Sequence, residues 1–307
     1  MNKLDMQQSL KNLIPAKGDG KREIARKISV LVLIAALIFT LCFLIAYFAD
    51  SASNKNQNAK LQQQHKVSSK ISSSDNGGIL PELVSSYNQN KELNGWISIP
   101  KTNIDYPVVQ CKSDNKNEKY LKTSFNGQQE RHGTIFLDFR DNINPLSQDM
   151  ILYGHNMNDD QMFSELEKYA KVRGNDYVGF YNSSPIIKFD TLYKHYKWKI
   201  FAVFATTGDD KYEGSLYYLN TQYGSDNEFN KFIGEVRKRS FINTQVDVTP
   251  ADRILTLSTC NYDYPKTDND WARLVVMARL VRDGESTDVA PATANSNVVF
   301  PKVWKIK

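Results

Sequence analysis

The sequence predicts a mainly β domain, a closed barrel or a sandwich, preceded by one membrane-spanning helix. Eight short runs rich in β-branched and aromatic residues are separated by Gly, Pro and Asn turn signals. One 22-residue stretch near the N-terminus is instead uncharged and apolar on all sides. The three cysteines and four histidines are dispersed without CxxC or HxxxH spacing, so we expect no metal site and no cofactor.

The apolar stretch covers residues 28–49 and is predicted to be a transmembrane helix. At about 1.5 Å per residue it spans roughly the 30 Å of a bilayer core, and it lacks the polar face of a typical core helix. A cleaved signal peptide is the nearest alternative. The apolar region of a signal peptide is usually shorter, however. Residues 46–49 (AYFA) also do not match the small-x-small pattern of a cleavage site, because Tyr and Phe are bulky.

The charges on either side of this helix predict its orientation. Lys and Arg crowd residues 17–27, whereas Asp50 follows the helix directly. The positive-inside rule therefore predicts a cytoplasmic basic tail (1–27), a single pass through the cell membrane and an extracellular remainder. Because the basic tail adjoins a membrane segment, anionic lipid is its expected partner and nucleic acid is not.

Composition divides the remainder into three parts. Residues 50–79 are polar and predict an extracellular stalk, with a short helix over 59–66 as an alternative. Residues 80–282 predict the folded domain. Residues 283–307 resemble a linker-like C-terminal extension whose apolar end, residues 298–304, is able to pack back on the domain.

The pattern within the domain predicts eight strands and a few helices. The predicted strands are residues 96–99, 104–109, 133–138, 149–153, 186–189, 197–204, 253–258 and 273–281. Apolar residues at helical spacing predict helices over 160–170 and 227–240, and a further helix over 81–87 precedes the strands.

Three chemically reactive side chains lie at the ends of predicted strands. Cys260 ends the sequence TLSTC, His155 follows a strand in YGHNM, and Arg273 opens the run LVVM. A thiolate nucleophile, an imidazole that moves protons and a cation for the oxyanion are the minimal set for thiol acyl transfer. A lone cysteine after a strand is more often an inert buried thiol. The enzyme prediction therefore depends on the cysteine, the histidine and the arginine occurring together at strand ends.

These motifs resemble the sortases, the cysteine transpeptidases of Gram-positive bacteria. The resemblance covers about residues 80–281, and the helix in the long connection before the cysteine strand is similar to class B. It implies a closed sortase-type β-barrel of about eight strands with a few peripheral helices. It also implies that Cys260 is the nucleophile, that His155 transfers protons and that Arg273 stabilises the oxyanion.

The resemblance further implies cleavage of a C-terminal sorting signal, of the Asn-Pro-x-Thr or Leu-Pro-x-Thr type, through a thioester on Cys260. The acceptor is an amine of the lipid-linked peptidoglycan precursor or of a pilin lysine, and both remain open. The substrate-binding positions that it suggests are Ser258, Thr259, Tyr218, Leu219 and Leu121. Two alternatives stay beside it: a cysteine hydrolase with the same residues, and a non-catalytic membrane-tethered adhesin.

Rival residues compete for some of these roles. Arg279 shares the strand face of Arg273 but lies roughly 20 Å further along. Asp263 and Asp268 could orient His155, but solvated loop charges are the better interpretation, because Tyr262 occupies the position where some class B relatives carry an acid. Cys111 could form a disulfide with Cys260, although a nucleophile must stay free.

Overall fold

The computed structural model describes residues 13–68, 78–172, 174–268 and 270–306, in two units, 1–57 and 58–307. The first helix, α1 (Lys21–Ser68), contains the apolar stretch, which is long and apolar enough to cross a membrane and is not buried within the protein. The helix continues through residues 50–68. This helix is longer than the short one over 59–66 that the sequence analysis left open, while residues 69–77 lie outside the described part.

The end of α1, residues 58–68, belongs to the second unit, and its packing there explains why this polar sequence is ordered. Leu61 is buried among residues of the barrel wall, and the His65 ring stacks on Trp96 with ring centroids 4.2 Å apart. The Gln62 side chain donates a hydrogen bond of 2.9 Å to the Asp105 carbonyl. Few apolar residues suffice here because they meet a surface that is already folded.

The described residues form ten strands. They are β1 Leu93–Ser98, β2 Asp105–Val109, β3 Phe136–Leu137, β4 Asp149–Tyr153, β5 Ile186–Thr191, β6 Lys197–Thr206, β7 Ile242–Asn243, β8 Ile254–Asn261, β9 Ala272–Leu280 and β10 Thr293–Ala294. Eight of them close into a barrel in the order β1-β2-β3-β4-β8-β9-β6-β5, which confirms the predicted fold class. The two short strands β7 and β10 form a separate pair outside the barrel, and the sequence analysis missed both.

Alternation along β8 and β9 builds two apolar layers. Leu255, Leu257 and Val276 belong to the main core, whereas Ile254 and Val275 belong to a second cluster that includes residues of helix α4 (Asp226–Arg239). Successive strand residues point to opposite faces of a sheet, so Ser258 and Cys260 share the face covered by this second layer.

The helices flank the barrel. They are α2 (Pro81–Gln89), α3 (Tyr177–Ser183), which the sequence analysis missed, and α4. The Ser225 hydroxyl caps α4 by accepting a hydrogen bond of 3.2 Å from the Glu228 amide, a typical N-cap contact. Short 3₁₀ turns cover Lys119–Leu121, Ser164–Tyr169 and Lys302–Trp304.

The helix predicted over 160–170 is only a 3₁₀ turn over Ser164–Tyr169. Asp160 and Met162 have φ angles of 60° and 56°, which an α-helix cannot accommodate. The apolar spacing nevertheless has a purpose, because Phe163, Leu166 and Tyr169 are fully buried in the main core. The C-terminal extension also packs on the domain, with Trp304 buried.

Candidate active site at one rim of the barrel

Three neighbouring strands bring the predicted reactive residues to one rim. Strands β4 and β8 are parallel, so their carboxyl ends coincide, and the antiparallel strand β9 begins at the same rim. Cys260 lies directly opposite Arg273 in this register. Tyr153 pairs with Ser258, so His155 and Cys260 each follow that pair by two residues. The topology thus gathers residues that are far apart in the sequence.

Gly154 attaches the histidine segment to the cysteine strand. Its amide donates to the Ser258 carbonyl at 3.2 Å, and the Thr259 hydroxyl donates to the Gly154 carbonyl at 2.8 Å. A Cβ atom at position 154 would lie 2.4 Å from Ile135 Cδ1 and 2.7 Å from the Phe163 ring. Both neighbours are buried in the core, so this close approach requires glycine.

The His155 ring is oriented by a backbone carbonyl. Its Nε2 lies 2.7 Å from the Leu121 carbonyl oxygen, in the 3₁₀ turn before β3. A carbonyl only accepts hydrogen bonds, so Nε2 carries the hydrogen in this contact. The other ring nitrogen, Nδ1, has no hydrogen-bond partner among the described residues, and in a neutral ring it is the proton acceptor.

Cys260 is a half-buried, free thiol. Burial raises the pKa of this thiol, the Arg273 charge opposes the rise, and the Asp270 carboxylate adds to it. The backbone beside the thiol is held in place, because the side-chain Nδ2 of Asn156 donates to the Cys260 carbonyl at 2.9 Å and to the Glu167 carboxylate at 2.6 Å. The thiol therefore lies within electrostatic range of one cation, Arg273, and of one anion, Asp270.

Arg273 is held by the loop between β8 and β9. Its guanidinium donates to the Trp271 carbonyl at 2.7 Å and to Asp270 at 2.9 Å, and a quarter of the side chain stays exposed. Burial lowers the pKa of Arg273, but Cys260, Tyr218 and Asp270 raise it above its usual value. A guanidinium carries five N–H donors, so donors remain for a substrate carbonyl.

Asp270 is a residue of this site that the sequence analysis missed. The only signal available was its spacing, three residues before Arg273, in a loop that also contains Asp263 and Asp268. Asp268 instead accepts hydrogen bonds from the Lys211 ammonium at 2.9 Å and from the Tyr212 hydroxyl. Sequence spacing alone does not distinguish Asp270, which binds the arginine, from Asp268, which links two loops.

The predicted substrate-binding positions lie around the same rim, yet several of their polar atoms already have partners. The Ser258 and Tyr218 hydroxyls are 2.8 Å apart and both side chains are buried. Thr259 is buried against Gly154. The backbone carbonyls of Leu219 and Leu121 accept hydrogen bonds from Arg140 and His155. Substrate contact at these five positions stays a prediction.

Arg279, the rival of Arg273, lies at the far end of β9. It pairs in register with Ile254 and is 1% exposed. Its guanidinium donates two hydrogen bonds of 2.7 Å to Glu285. Arg279 therefore has its own hydrogen-bond partner, Glu285, at the end of β9 that is away from the thiol.

The other histidines and the second cysteine of the domain have local environments of their own. His132 is buried between Glu130 and Asp159, and His195 contacts Asp190 at 2.9 Å. Cys111 is a free thiol near the Ser113 hydroxyl, so the disulfide alternative does not appear in the structure.

Two exposed aromatic rings stand beside the rim and were not predicted. Tyr262 and Trp271 form an edge-to-face pair with centroids 5.0 Å apart, and they are 42% and 41% exposed. They belong to the two ends of the loop that follows Cys260. Burial raises the pKa of Tyr262, and a negative charge on Cys260 raises it further.

Comparison with known proteins gives consistent matches. Residues 97–281 match the family model of the sortase domain. The chain is 33% identical to sortase B of Staphylococcus aureus over 255 residues, 83% of this chain and 96% of the relative. It is 34% identical to sortase B of Listeria monocytogenes over 206 residues, 67% and 76% of the two chains. A solved S. aureus sortase B–substrate complex matches with a TM-score of 0.64 and 34% identity, covering 76% of this chain and 99% of that one.

Proposed function

Because this chain belongs to the sortase family of cysteine transpeptidases, with class B members as its relatives, we propose that it cleaves a sorting signal through Cys260 and transfers the acyl group to an amine. The observation that carries this proposal is the cross-strand pair of Cys260 and Arg273, at the rim where His155 follows β4. A thiol, a fixed cation and a base with an open nitrogen occupy one end of one barrel.

In the first step, the Cys260 thiolate attacks the carbonyl carbon of the signal threonine. The carbonyl oxygen becomes an oxyanion, and the free N–H donors of Arg273 stabilise it. Arg273 and Asp270 act on the thiol pKa in opposite directions, and burial raises it. The reactive thiolate is therefore a minor species, which forms when His155 takes the thiol proton on Nδ1.

In the second step, the tetrahedral intermediate collapses to a thioester. The C–N bond breaks, and the leaving amine takes the proton from His155. An incoming amine then attacks the thioester and gives its proton to His155. Collapse of this second intermediate yields an amide and regenerates the thiol. The hydrogen bond from Nε2 to Leu121 keeps the ring oriented through both transfers.

We place the catalytic domain outside the cell, with α1 as a single-pass anchor. The apolar stretch of the helix and the basic residues before it support this arrangement. Substrate proteins with a hydrophobic C-terminal tail and a lipid-linked acceptor would both lie at the same membrane surface. Confinement of all three raises their effective concentration. The expected signal is of the Asn-Pro-x-Thr or Leu-Pro-x-Thr type.

A cysteine hydrolase with the same residues is the competing function, and product analysis separates the two. The full chain in detergent is incubated with peptides of each signal type, with and without triglycine. Triglycine is chosen because a solved sortase B is described as complexed with this tripeptide. We expect a peptide joined at threonine to triglycine, identified by its mass. Only a free threonine carboxylate at every triglycine concentration would instead establish a hydrolase.

A further inference from the structure

The C-terminal segment, residues 283–306, lies beyond the matched sortase domain, which ends at residue 281. Resting on the proposed function, we propose that this segment is a clamp on the catalytic loop and that Trp304 is a positioning residue for the reaction at Cys260. The catalytic loop is the connection between β8 and β9, residues 262–271, of which the structure describes 262–268 and 270–271. It follows the nucleophile and ends just before Arg273.

The segment is attached to the domain along its length. Strand β10 pairs with β7, and the Asn295 side chain donates to the Ser240 carbonyl at 2.8 Å. The Val299 amide donates to the Lys238 carbonyl at 3.0 Å. These contacts lie at the end of α4 and at β7. They position the last turn, Lys302–Trp304, against the catalytic loop.

Trp304 contacts this loop through one aromatic residue. Its ring is 6% exposed and stacks on Tyr264, with centroids 5.0 Å apart and an interplanar angle of 16°. Phe300 lies 5.6 Å from the same tyrosine, and Phe241 stacks on it at 6.2 Å. The Tyr264 hydroxyl donates to the Lys171 carbonyl at 3.1 Å. Tyr264 is thus held on several sides, and two of the rings come from the C-terminal segment.

Tyr264 in turn connects to the residues beside the nucleophile. Its amide and that of Asp263 donate to the Asn261 side-chain oxygen at 3.1 and 3.0 Å. Asn261 directly follows Cys260. At the other end of the loop, Asp270 and Trp271 hold the Arg273 guanidinium. The loop therefore joins both members of the Cys260–Arg273 pair, and Trp304 packs on the ring that fixes its first half.

The same turn also reaches a second loop of the site. The Lys302 amide donates to the Glu213 carbonyl at 2.8 Å, and the Lys302 ammonium forms an ion pair with the Glu213 side chain. Glu213 lies in the connection between β6 and β7. The same connection contains Tyr218, whose hydroxyl forms a hydrogen bond with the Ser258 hydroxyl. One short C-terminal turn thus contacts both loops that flank the thiol.

The catalytic loop affects the reaction through the relative placement of Arg273 and Cys260. Arg273 must meet an oxyanion whose position is set by Cys260, and a misplacement of about 1 Å can cost on the order of a hundredfold in rate. A loosened catalytic loop changes the relative placement of these two groups while leaving much of the substrate groove in place. Loss of the clamp should accordingly lower kcat more than it changes KM.

The test compares Trp304→Ala, Trp304→Leu and Trp304→Phe in the full chain in detergent, with Val303→Ala as the matched control. Val303 is the 41% exposed neighbour in the same turn. Trp304→Phe retains an aromatic ring and gives up no hydrogen bond, because the indole nitrogen has no partner among the described residues. Trp304→Leu fills the site without a ring and provides a folded variant if Trp304→Ala unfolds.

We expect the Ala and Leu variants to lose about tenfold in kcat with KM within about twofold, and the Phe and Val303 variants to match wild type. Amide hydrogen exchange of residues 262–268 should accelerate in the Ala and Leu variants. Wild-type kcat in both, with a lower Tm alone, overturns the clamp. The expected change in hydrogen exchange does not depend on which reaction the enzyme catalyses, so it tests the clamp separately. An inactive wild type would count against the proposed function instead.

Discussion

Cys260 and Arg273 face each other across strands β8 and β9, and Asp270 holds the arginine by a 2.9 Å hydrogen bond. A β-ladder fixes the separation of two such backbones, so the fold itself sets where the Arg273 charge lies relative to the thiol. The loop between them can vary in length without changing this register. This explains how a thirteen-residue separation in sequence still yields a cross-strand pair.

Arg273→Lys should fail almost as badly as Arg273→Ala. A lysine offers a point charge without the paired, planar donors of a guanidinium. Loss of such a donor costs about 10²–10³ in turnover. Steady-state transpeptidation of both variants provides the measurement.

Arg279→Ala is the matched control on the same strand. It removes two hydrogen bonds to Glu285 and should reduce stability by about 1–3 kcal/mol, with turnover within about tenfold of wild type. An inactive Arg279→Ala enzyme beside an active Arg273→Lys enzyme would mean that our assignment of the two arginines is reversed.

The thiol pKa should move in opposite directions when its two charged neighbours are removed. Arg273 lowers the pKa of Cys260, so Arg273→Ala should shift the midpoint of Cys260 alkylation to higher pH. Asp270 raises that pKa, so Asp270→Asn should shift the midpoint to lower pH. Alkylation rates of the Cys260 peptide by iodoacetamide, followed by mass across the pH range, provide the test. Shifts of the same sign would refute the electrostatic account.

Gly154→Ala should lower turnover strongly, because the new methyl group collides with Ile135 and Phe163 and must displace the His155 segment. Overpacking of this kind typically costs about 1–3 kcal/mol. Gly234→Ala is the control. Gly234 lies exposed in α4 with no atom within 4 Å of an added Cβ, so the change should stabilise the helix by about 0.5–1 kcal/mol. Equal activity of the two variants would argue against a requirement for glycine at position 154.

Removal of residues 1–57 should give a soluble enzyme with unchanged turnover of soluble peptides. Removal through residue 79 should be less benign, because it also takes away buried Leu61 and the His65 ring that stacks on Trp96. Burial of one leucine contributes about 1.5–3 kcal/mol, and each kcal/mol shifts the Tm of a domain this size by roughly 2–4 °C. Thermal unfolding of the two shortened chains measures the difference. Identical Tm values would show that residues 58–68 contribute no packing.

The barrel and its helix α4 were predictable because their signals are local. Short runs of β-branched and aromatic residues between turn signals identify the barrel strands, and apolar residues at helical spacing identify α4. Strand β3 is shorter than predicted, and β7 and β10 were missed, since two-residue strands leave no periodic pattern. The 3₁₀ turn at Ser164–Tyr169 shows the same limit, because the positive φ angles just before it are set by tertiary packing rather than by composition.

The site was only partly accessible from sequence. Cys260, His155 and Arg273 stand at strand ends within recognisable motifs, and the structure brings them to one rim. Asp270 and Trp304 carry no such motif. Their contacts with Arg273 and Tyr264 depend on how a long loop and a distant chain end fold together. Pairings of this kind exist only once the barrel has formed.

The central claim is that Cys260 carries the acyl group, and intact-mass measurement tests it most directly. The full chain in detergent is mixed with a sorting-signal peptide without amine, quenched in acid and weighed, with Cys260→Ala and Cys111→Ala alongside. We expect wild type and Cys111→Ala to gain the mass of the acyl fragment up to threonine and to lose it when triglycine is added. Cys260→Ala should stay unmodified while remaining folded. An adduct on Cys260→Ala, or turnover by that variant that depends on Cys111, would contradict the account.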